Sequence, residues 1–516
     1  MTERVGIIDL GSNSARLIIM NIYKNGAYNL VYHQKEAVRL AEGMNAAGLL
    51  PEAAERGLNV IRSFSHMCRL FNVDRILAAA TAAVRNAANG ETFLNTVRLQ
   101  TGIPLEIITE ETEAMLGFIG VVNTIAVNDA LLFDLGGGSI ELTLIRNRRP
   151  VNLVSLPWGA VNLTERFGTQ DRPTDSQLAE LRAFLERQFE GLPWLKRLNL
   201  PIVGVGGTAR NIAKIDQRRK NYPFSKVHNY RLGPVALEDL WRTIIKTSLA
   251  QRRKLPGLSS ERADIIIAGV TMVRELFKYA HGTHLIISGC GLREGMFLRH
   301  YLSSRGESII IPDILAHSTD NILRFYKLDE KHARHVAAMA LALFDGWQAL
   351  HGLETRERSL LQVAALLHDI GISINYYGHP RHSAYLVENA RLFGLTHREQ
   401  MLTAVVAGWH DGPAVKFSSR LYSEFLDEAD WAVARKLALL LAMAEALDAT
   451  EMGLVREAEA RIIGGRPVLI VKAGEWPMLE LQAVQKHAKW FRREMGYELT
   501  LENPDLPPGG APAAAE

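Results

Sequence analysis

The sequence predicts a duplicated α/β fold of two lobes, followed by an all-α domain and a small α+β unit. Three observations predict it. The stretch Val5-Gly-Ile-Ile-Asp-Leu-Gly-Ser-Asn-Ser14 returns in form as Ala130-Leu-Leu-Phe-Asp-Leu-Gly-Gly-Gly-Ser139. Strand-to-glycine junctions recur at Ile202-Val-Gly-Val-Gly-Gly-Thr-Ala-Arg210 and Leu285-Ile-Ile-Ser-Gly-Cys-Gly-Leu-Arg-Glu-Gly295. From about residue 314 the apolar spacing becomes helical and histidines accumulate.

In the repeated motif Asp9 corresponds to Asp134, Gly11 to Gly136 and Ser14 to Ser139. A second apolar run follows each, Leu17-Ile-Ile-Met20 and Leu142-Thr-Leu-Ile145, so both read as β-hairpins. Gly and Ser let backbone N–H groups approach a phosphate closely, and each Asp can hold a metal or a water. One such turn is an ordinary hairpin connection. Two in matching context imply a duplicated domain with a phosphate site between its halves. The first lobe is expected over residues 1–125 and the second over 126–300.

Within the first lobe, Arg75-Ile-Leu-Ala-Ala-Ala-Thr81 reads as a buried strand that delivers Arg85 to its carboxyl end, where ligands of α/β sheets collect. Glu110-Glu-Thr-Glu113 opens the next helix. Acidic residues there complement the helix dipole, but a carboxylate beside a phosphate site is also a natural base for water. In the second lobe Gly206, Gly207 and Thr208 open a helix directly after a strand, a further anion site.

A chain of 516 residues exceeds one core and predicts three or four domains. Its 47% hydrophobic and 22% charged content is that of a soluble globular protein, and a net charge of +3 excludes a dedicated nucleic-acid coat. The basic runs Arg218-Arg-Lys220 and Arg252-Arg-Lys254 read as solvated surface. Cys68 and Cys290 lack ligand-type spacing and read as reduced thiols. With no signal peptide and no membrane-spanning run in the sequence, a cytoplasmic protein without a membrane partner is expected.

The helical part, residues 314–452, carries His335 within Lys331-His-Ala-Arg-His335, then Leu366-Leu-His-Asp-Ile-Gly371, Gly378-His-Pro-Arg-His-Ser-Ala384, Val406-Ala-Gly-Trp-His410 and Ala444-Glu-Ala-Leu-Asp448. Imidazoles and carboxylates together suit a divalent metal such as Mn, Fe, Mg or Zn. Residues 453–502 read as a small α+β unit without evident chemistry. The Pro-, Ala- and Gly-rich tail 503–516 is expected to be disordered.

Residues 1–300 resemble the exopolyphosphatase and guanosine pentaphosphate phosphohydrolase (Ppx/GppA) family of the actin-like ATPase superfamily. The resemblance rests on Asp9-Leu-Gly-Ser-Asn-Ser14, Thr81 to Arg85, Glu113-Ala114, Asp134-Leu-Gly-Gly-Gly-Ser-Ile-Glu141, Gly206-Gly-Thr208 and Ser288-Gly-Cys-Gly-Leu-Arg-Glu-Gly295. It implies two ribonuclease-H-like lobes closing on a phosphate chain with Mg²⁺. Glu113 is then the water-activating base and Arg85 a phosphate-binding residue. Gly11, Ser12, Asn13 and Ser14 bind phosphate together with Gly136, Gly137, Gly138 and Ser139, while Asp9, Asp134 and Glu141 lie at the metal and the water. Thr112 stands where relatives often have another Glu, which leaves Glu111 as the alternative base.

Residues 314–452 resemble the HD metal-dependent phosphohydrolase domain. This implies His335, His368, Asp369 and Asp448 as ligands, with His379 and His410 matching the extra ligands of two-metal members and His382 competing for the role of His379. The rival reading is a structural helical domain that forms a homodimer. For the whole chain the expected activity is hydrolysis of terminal phosphoanhydrides of inorganic polyphosphate. Guanosine pentaphosphate is the alternative substrate in the same cleft. A nucleotide-binding sensor without turnover is the alternative of another class, and it would need no base at Glu113.

Overall fold

The computed structural model describes residues 3–502 apart from 414, 418–421 and 424. The tail expected to be disordered lies outside the described residues. The chain divides into two compact units, Met1–Ile314 and Leu315–Glu516.

The first unit is built on two mixed sheets of the same plan. In the first, β1 (Glu3–Leu10), β2 (Ser14–Ile22) and β3 (Tyr28–Ala37) form an antiparallel meander. β4 (Arg75–Ala80) and β5 (Leu105–Ile107) continue it in parallel from β1, giving the order β3-β2-β1-β4-β5. The second sheet holds β6 (Ala130–Leu135), β7 (Ile140–Arg146), β8 (Arg149–Leu156), β9 (Ile202–Val205), β10 (Tyr230–Leu232) and β11 (Leu285–Ile287). Its order, β10-β11-β9-β6-β7-β8, contains β8-β7-β6-β9-β11, the counterpart of the first sheet strand for strand, with β10 added at the edge. The repeated motif therefore marks a repeated sheet.

Three apolar clusters hold these sheets. The outer face of the first packs on the helices Pro51–Leu70 and Gly90–Thr101 through Ile8, Phe64, Phe93 and Val97. The helices Asp175–Glu190 and Ile266–Tyr279 cover the second through Phe133, Leu181, Leu185 and Ile267. A middle cluster joins Ile7 of the first sheet to Leu132 and Val203 of the second through the helices Glu110–Val122 and Leu292–Ser304. Strands covered on both faces read as continuous apolar runs, as β1 and β6 do. The two middle helices touch backbone to backbone: a Cβ at Gly295 would stand 1.8 Å from the Leu116 carbonyl oxygen, and one at Gly120 would stand 2.2 Å from that of Gly291. Any side chain there would push the helices apart.

One basic run departs from expectation. Arg252 is fully buried, and its guanidinium donates to the carbonyls of Ala263, Thr247 and Gln170 at 2.6, 2.6 and 2.5 Å. It ties three loops together and is not solvated surface.

In the second unit the helices Glu330–Gly346, Thr355–Leu367, His379–Asn389, His397–Gly408 and Glu428–Ala446 pack on one another. The last is apolar around most of its circumference over Leu437–Ala444 because it is central to the bundle. No helix among the described residues is long and apolar enough to cross a membrane. β12 (Val455–Ile463), β13 (Arg466–Ala473) and β14 (Thr500–Glu502) make a small sheet, with the helices Met478–Lys486 and Ala488–Met495 between its second and third strands.

Candidate active site

Each repeated turn is held open by the same backbone device. Gly11 N–H donates to the Ser14 carbonyl at 3.2 Å, and Gly136 N–H to that of Ser139 at 3.0 Å. The turn carbonyls are spoken for from outside: Val38 and Arg39 donate to Asn13, Ala41 to Ser12, Ala160 to Gly136 and Val161 to Gly137. The amides of Ser12, Asn13, Gly137 and Gly138 have no acceptor among the described residues. Donors are thus left over on both turns, which is how a backbone nest takes an anion. The Pro157-Trp-Gly-Ala160 stretch fits because Gly159 has no side chain; a Cβ there would lie 2.2 Å from the Gly137 carbonyl.

The turns face a cavity of about 110 Å³. Gly11, Ser12, Asn13, Ser14, Gly136, Gly137, Gly138 and Ser139 all line it, as do Asp9, Glu113, Asp134, Glu141, Gly206 and Gly207. Gly206 adopts φ +101°, and a Cβ there would stand 2.4 Å from the Leu135 carbonyl oxygen. At Gly207 a Cβ would overlap the Arg262 guanidinium at 2.0 Å, so this glycine gives the arginine its place. Thr208, expected at the phosphate, is not on the wall: it is fully buried and packs against Gly269 of the Ile266 helix. As the third residue of its helix it turns toward the core.

Four arginines that the sequence reading did not single out also line the cavity: Arg16, Arg210, Arg262 and Arg293. Burial, and then the neighbouring arginines Arg16, Arg293 and Arg262, lower Arg210 to about 9. Burial and then Arg16 lower Arg262 to about 10. These guanidiniums are close enough to oppose one another's charge, with Asp134 acting against that on Arg210 and Glu261 and Asp264 on Arg262.

The carboxylates are crowded in the same way. Asp9 faces Arg16 across the first hairpin, and Asp134 faces Glu141 across the second. The duplicated frame therefore carries a cation in one lobe and an anion at the same place in the other. Burial, with opposition from Arg210 and a push from Asp9, raises Asp134 to about 6. Burial, then Glu113 and Asp134, raises Glu141 well above the usual range. Ser155 donates to Glu141 Oε1 at 3.0 Å.

Glu113 sits in the first turn of its helix, whose start Thr109 caps by accepting from the Thr112 amide at 3.2 Å. Its Oε2 accepts from Arg85 Nη1 at 2.9 Å, and burial outweighs that contact to raise it to about 7. Arg85 is not on the cavity wall; it also donates to the Ile108 carbonyl at 3.0 Å, and its buried Nε and Nη2 lack hydrogen-bond partners among the described residues. Glu111 is exposed and away from the wall, so of the two candidate bases only Glu113 reaches the cavity.

The second unit gathers a different set. Four imidazoles are each anchored through Nδ1: His332 on Asp448 Oδ2 at 2.8 Å, and His368, His379 and His410 on the carbonyls of Ala365, Tyr376 and Ala407 at 2.7, 2.9 and 2.7 Å. That leaves every Nε2 turned toward the carboxylates of Asp369 and Glu445. Two groups result, His332, His368, Asp369 and Glu445, and Asp369, His379 and His410, each with ligand atoms within 4.8 Å of one another. Asp369 belongs to both. The Nε2 atoms of His379 and His410 stand 2.9 Å apart, and two lone pairs at that distance repel unless a cation or proton lies between them. The donor set fits a divalent metal, with imidazole and carboxylate in each group.

Two expected ligands are displaced here. His332, three residues before His335 on the same helix, takes the place expected of His335, whose buried Nε2 has no partner among the described residues. Glu445, one turn before Asp448, takes that of Asp448. Both Asp448 oxygens are engaged elsewhere, Oδ2 by His332 and Oδ1 by the Gly453 amide at 2.9 Å. Asp448 orients an imidazole. Of the competing pair, His379 reaches the cluster and His382 does not.

Residues 18–304 match the model of the Ppx/GppA phosphatase family, and residues 314–465 match that of Ppx/GppA phosphatase, domain III. The first match alone spans more than half of the chain. The chain belongs to the Ppx/GppA phosphatase family. A solved family member from Aquifex aeolicus is 30% identical, covers 59% of this chain and 99% of its own, and superposes with a TM-score of 0.52. An exopolyphosphatase from Cytophaga hutchinsonii is 22% identical, with 60% and 99% covered and a TM-score of 0.55, a likeness that speaks for the fold.

As a Ppx/GppA member the protein is a phosphoanhydride hydrolase. The cavity of the first unit sets unclaimed amides and guanidiniums beside a carboxylate of raised affinity for protons.

Proposed function

We propose that the first unit hydrolyses the terminal phosphoanhydride of inorganic polyphosphate. The observation that carries this reading is the convergence of Arg16, Arg210, Arg262 and Arg293 on one cavity with Glu113 at its wall. The cavity of about 110 Å³ is far smaller than the roughly 300–1,000 Å³ of sites that enclose a drug-sized ligand. Among the described residues its wall carries no aromatic ring on which a base could stack. Both features favour a phosphoryl chain end inside the cavity. Guanosine pentaphosphate presents such an end as well and is the second substrate to compare. Side-by-side kinetics on long polyphosphate and guanosine pentaphosphate test the reading, with a higher kcat/KM on polyphosphate expected.

In the reaction, the amides of the two turns and the arginines hold the terminal phosphoryl oxygens while water attacks opposite the bridging oxygen. Glu113 takes the proton of that water, a new P–O bond forms, and the bond to the shortened chain breaks with its charge spread over guanidiniums. Asp9, Asp134 and Glu141 do not gather within metal-ligand spacing as a trio. This suits Mg²⁺, which keeps several waters and binds through one or two carboxylates and substrate phosphates. Bound there, it would neutralise charge on the phosphoryl oxygens.

A base must be ionised to act. With Glu113 raised to about 7 by burial, kcat/KM at low Mg²⁺ is expected to climb about tenfold per pH unit below that value and level above it. Added Mg²⁺ opposes the burial effect and moves the midpoint toward acid. A profile flat from pH 5 to 8 in this low-Mg²⁺ series would remove Glu113 from the proton transfer.

In the second unit the proposal is a pair of divalent cations in an HD-like site, one for each group, to both of which Asp369 would contribute. Asp369→Ala is then expected to empty both positions, because it is the one residue common to both groups. Metal should fall from about two ions per chain toward none, and the melting temperature should fall with it. Metal analysis of protein purified without chelator, beside a thermal melt with and without added Mn²⁺, checks both. Wild-type protein that holds no metal and does not respond to Mn²⁺ would make the helical unit a scaffold.

A further inference from the structure

A second cavity, of about 620 Å³, opens in the helical unit beside the metal cluster. His410 and Glu445, one from each ligand group, form part of its wall. Another part comes from the two C-terminal helices, through Lys486, Lys489, Trp490 and Arg493. These four positions have the three- and four-residue steps of a single helix face, continued across the break at His487.

Two features mark this wall as built for a ligand. Lys486 and Lys489 have no carboxylate within ion-pair distance among the described residues, although Asp411 also lines the cavity and Arg493 pairs with Glu494 at 2.8 Å. Trp490 is 8% exposed, and its buried indole Nε1–H has no acceptor among the described residues. A buried donor left unmatched costs the fold stability, and a polar ligand in the cavity would satisfy it. Four alanines, Ala442, Ala446, Ala449 and Ala483, also line the cavity and give it an apolar floor.

We propose that this cavity binds a phosphate ester that carries a flat ring, of mononucleotide size. Lys486, Lys489 and Arg493 take the phosphate, and Trp490 and the alanine floor take the ring. A volume of about 620 Å³ lies within the range of pockets that enclose such molecules. The site goes beyond the polyphosphate cleft and rests on the metal reading only at its His410 and Glu445 edge. It gives the C-terminal helices, which showed no chemistry in the sequence, a role in recognition.

AMP is the probe, titrated calorimetrically into the full-length protein both after chelator treatment and after loading with Mn²⁺. Submillimolar binding is expected, about tenfold or more weaker in the Lys486→Ala/Lys489→Ala double variant. Both lysines are exposed, so the variant should melt within about a degree of wild type. Ribose 5-phosphate should bind more weakly than AMP to the wild-type protein because it lacks the ring. AMP that does not bind, or that binds the double variant as it binds wild type, overturns the proposal; equal affinity for ribose 5-phosphate overturns the ring pocket. A separate Mn²⁺ titration keeps the two readings apart: metal binding without AMP binding sinks only this site, and AMP binding without metal binding sinks only the metal cluster.

Discussion

Glu113→Gln is expected to lower turnover on polyphosphate by roughly two to four decades while leaving substrate affinity nearly intact. Gln keeps the shape of Glu and can still accept the hydrogen bond that Arg85 Nη1 gives Glu113 Oε2 at 2.9 Å. It cannot take a proton. Because Glu113 is held from behind by Arg85 and by the capped first turn of its helix, the substitution should not move the two Gly/Ser turns. Single-turnover kinetics together with equilibrium binding of polyphosphate separate the roles. An equally large loss of binding would make Glu113 a positioning residue for substrate or metal. Full activity would return the base to Glu111, which the exposed position of that side chain argues against.

The parts of this site that were legible in the sequence are local ones. A Gly/Ser turn of this kind declares itself within ten residues, because small residues and a strand-terminal Asp must be contiguous to make it. The repeat of that turn at 5–14 and 130–139 also foretold the repeated sheet, since each hairpin is the first half of the same meander. The arginines declare nothing of the kind. Arg16 reads as one residue of a strand, and Arg210, Arg262 and Arg293 come from three helical segments that meet only in the fold. A usable signal existed: Arg210 and Arg293 each lie a few residues past a strand-to-glycine junction. Arg252 shows why charge runs mislead, because a guanidinium with three carbonyl partners can be buried where a solvated face was expected.

The histidine and carboxylate cluster of the second unit shows the same limit at finer grain. His332 and His335 share one helix, as Glu445 and Asp448 share one chain turn, and spacing alone could not choose within either pair. The choice is made by Asp448, which lies just past its helix end and accepts from both His332 and the Gly453 amide. A carboxylate committed to two donors is a poor ligand and a good anchor. The sequence singled out His335 and Asp448, and the fold brings His332 and Glu445, one turn away in each case, into the candidate groups.

Arg210→Met is expected to lower kcat/KM on polyphosphate by roughly two to three decades, the cost of removing one preorganised cation from a developing anionic transition state. The same change should leave the melting temperature of the substrate-free protein at or above that of wild type. Burial and the neighbouring arginines hold Arg210 down to about 9, so its charge is held in place against the free energy of the fold. Asp134, its main counter-charge, is itself raised to about 6 and can take up a proton once the arginine is gone. Methionine fills much of the same volume without the charge, as when a buried ion pair gives way to apolar packing. Thermal melts with and without short-chain polyphosphate test the pairing: the variant should match or exceed wild type alone and lose most of the stabilisation that polyphosphate confers. A melting temperature several degrees lower without substrate would mean that Arg210 holds the lobe together through Asp134, and the cluster of arginines would then be structural before it is catalytic.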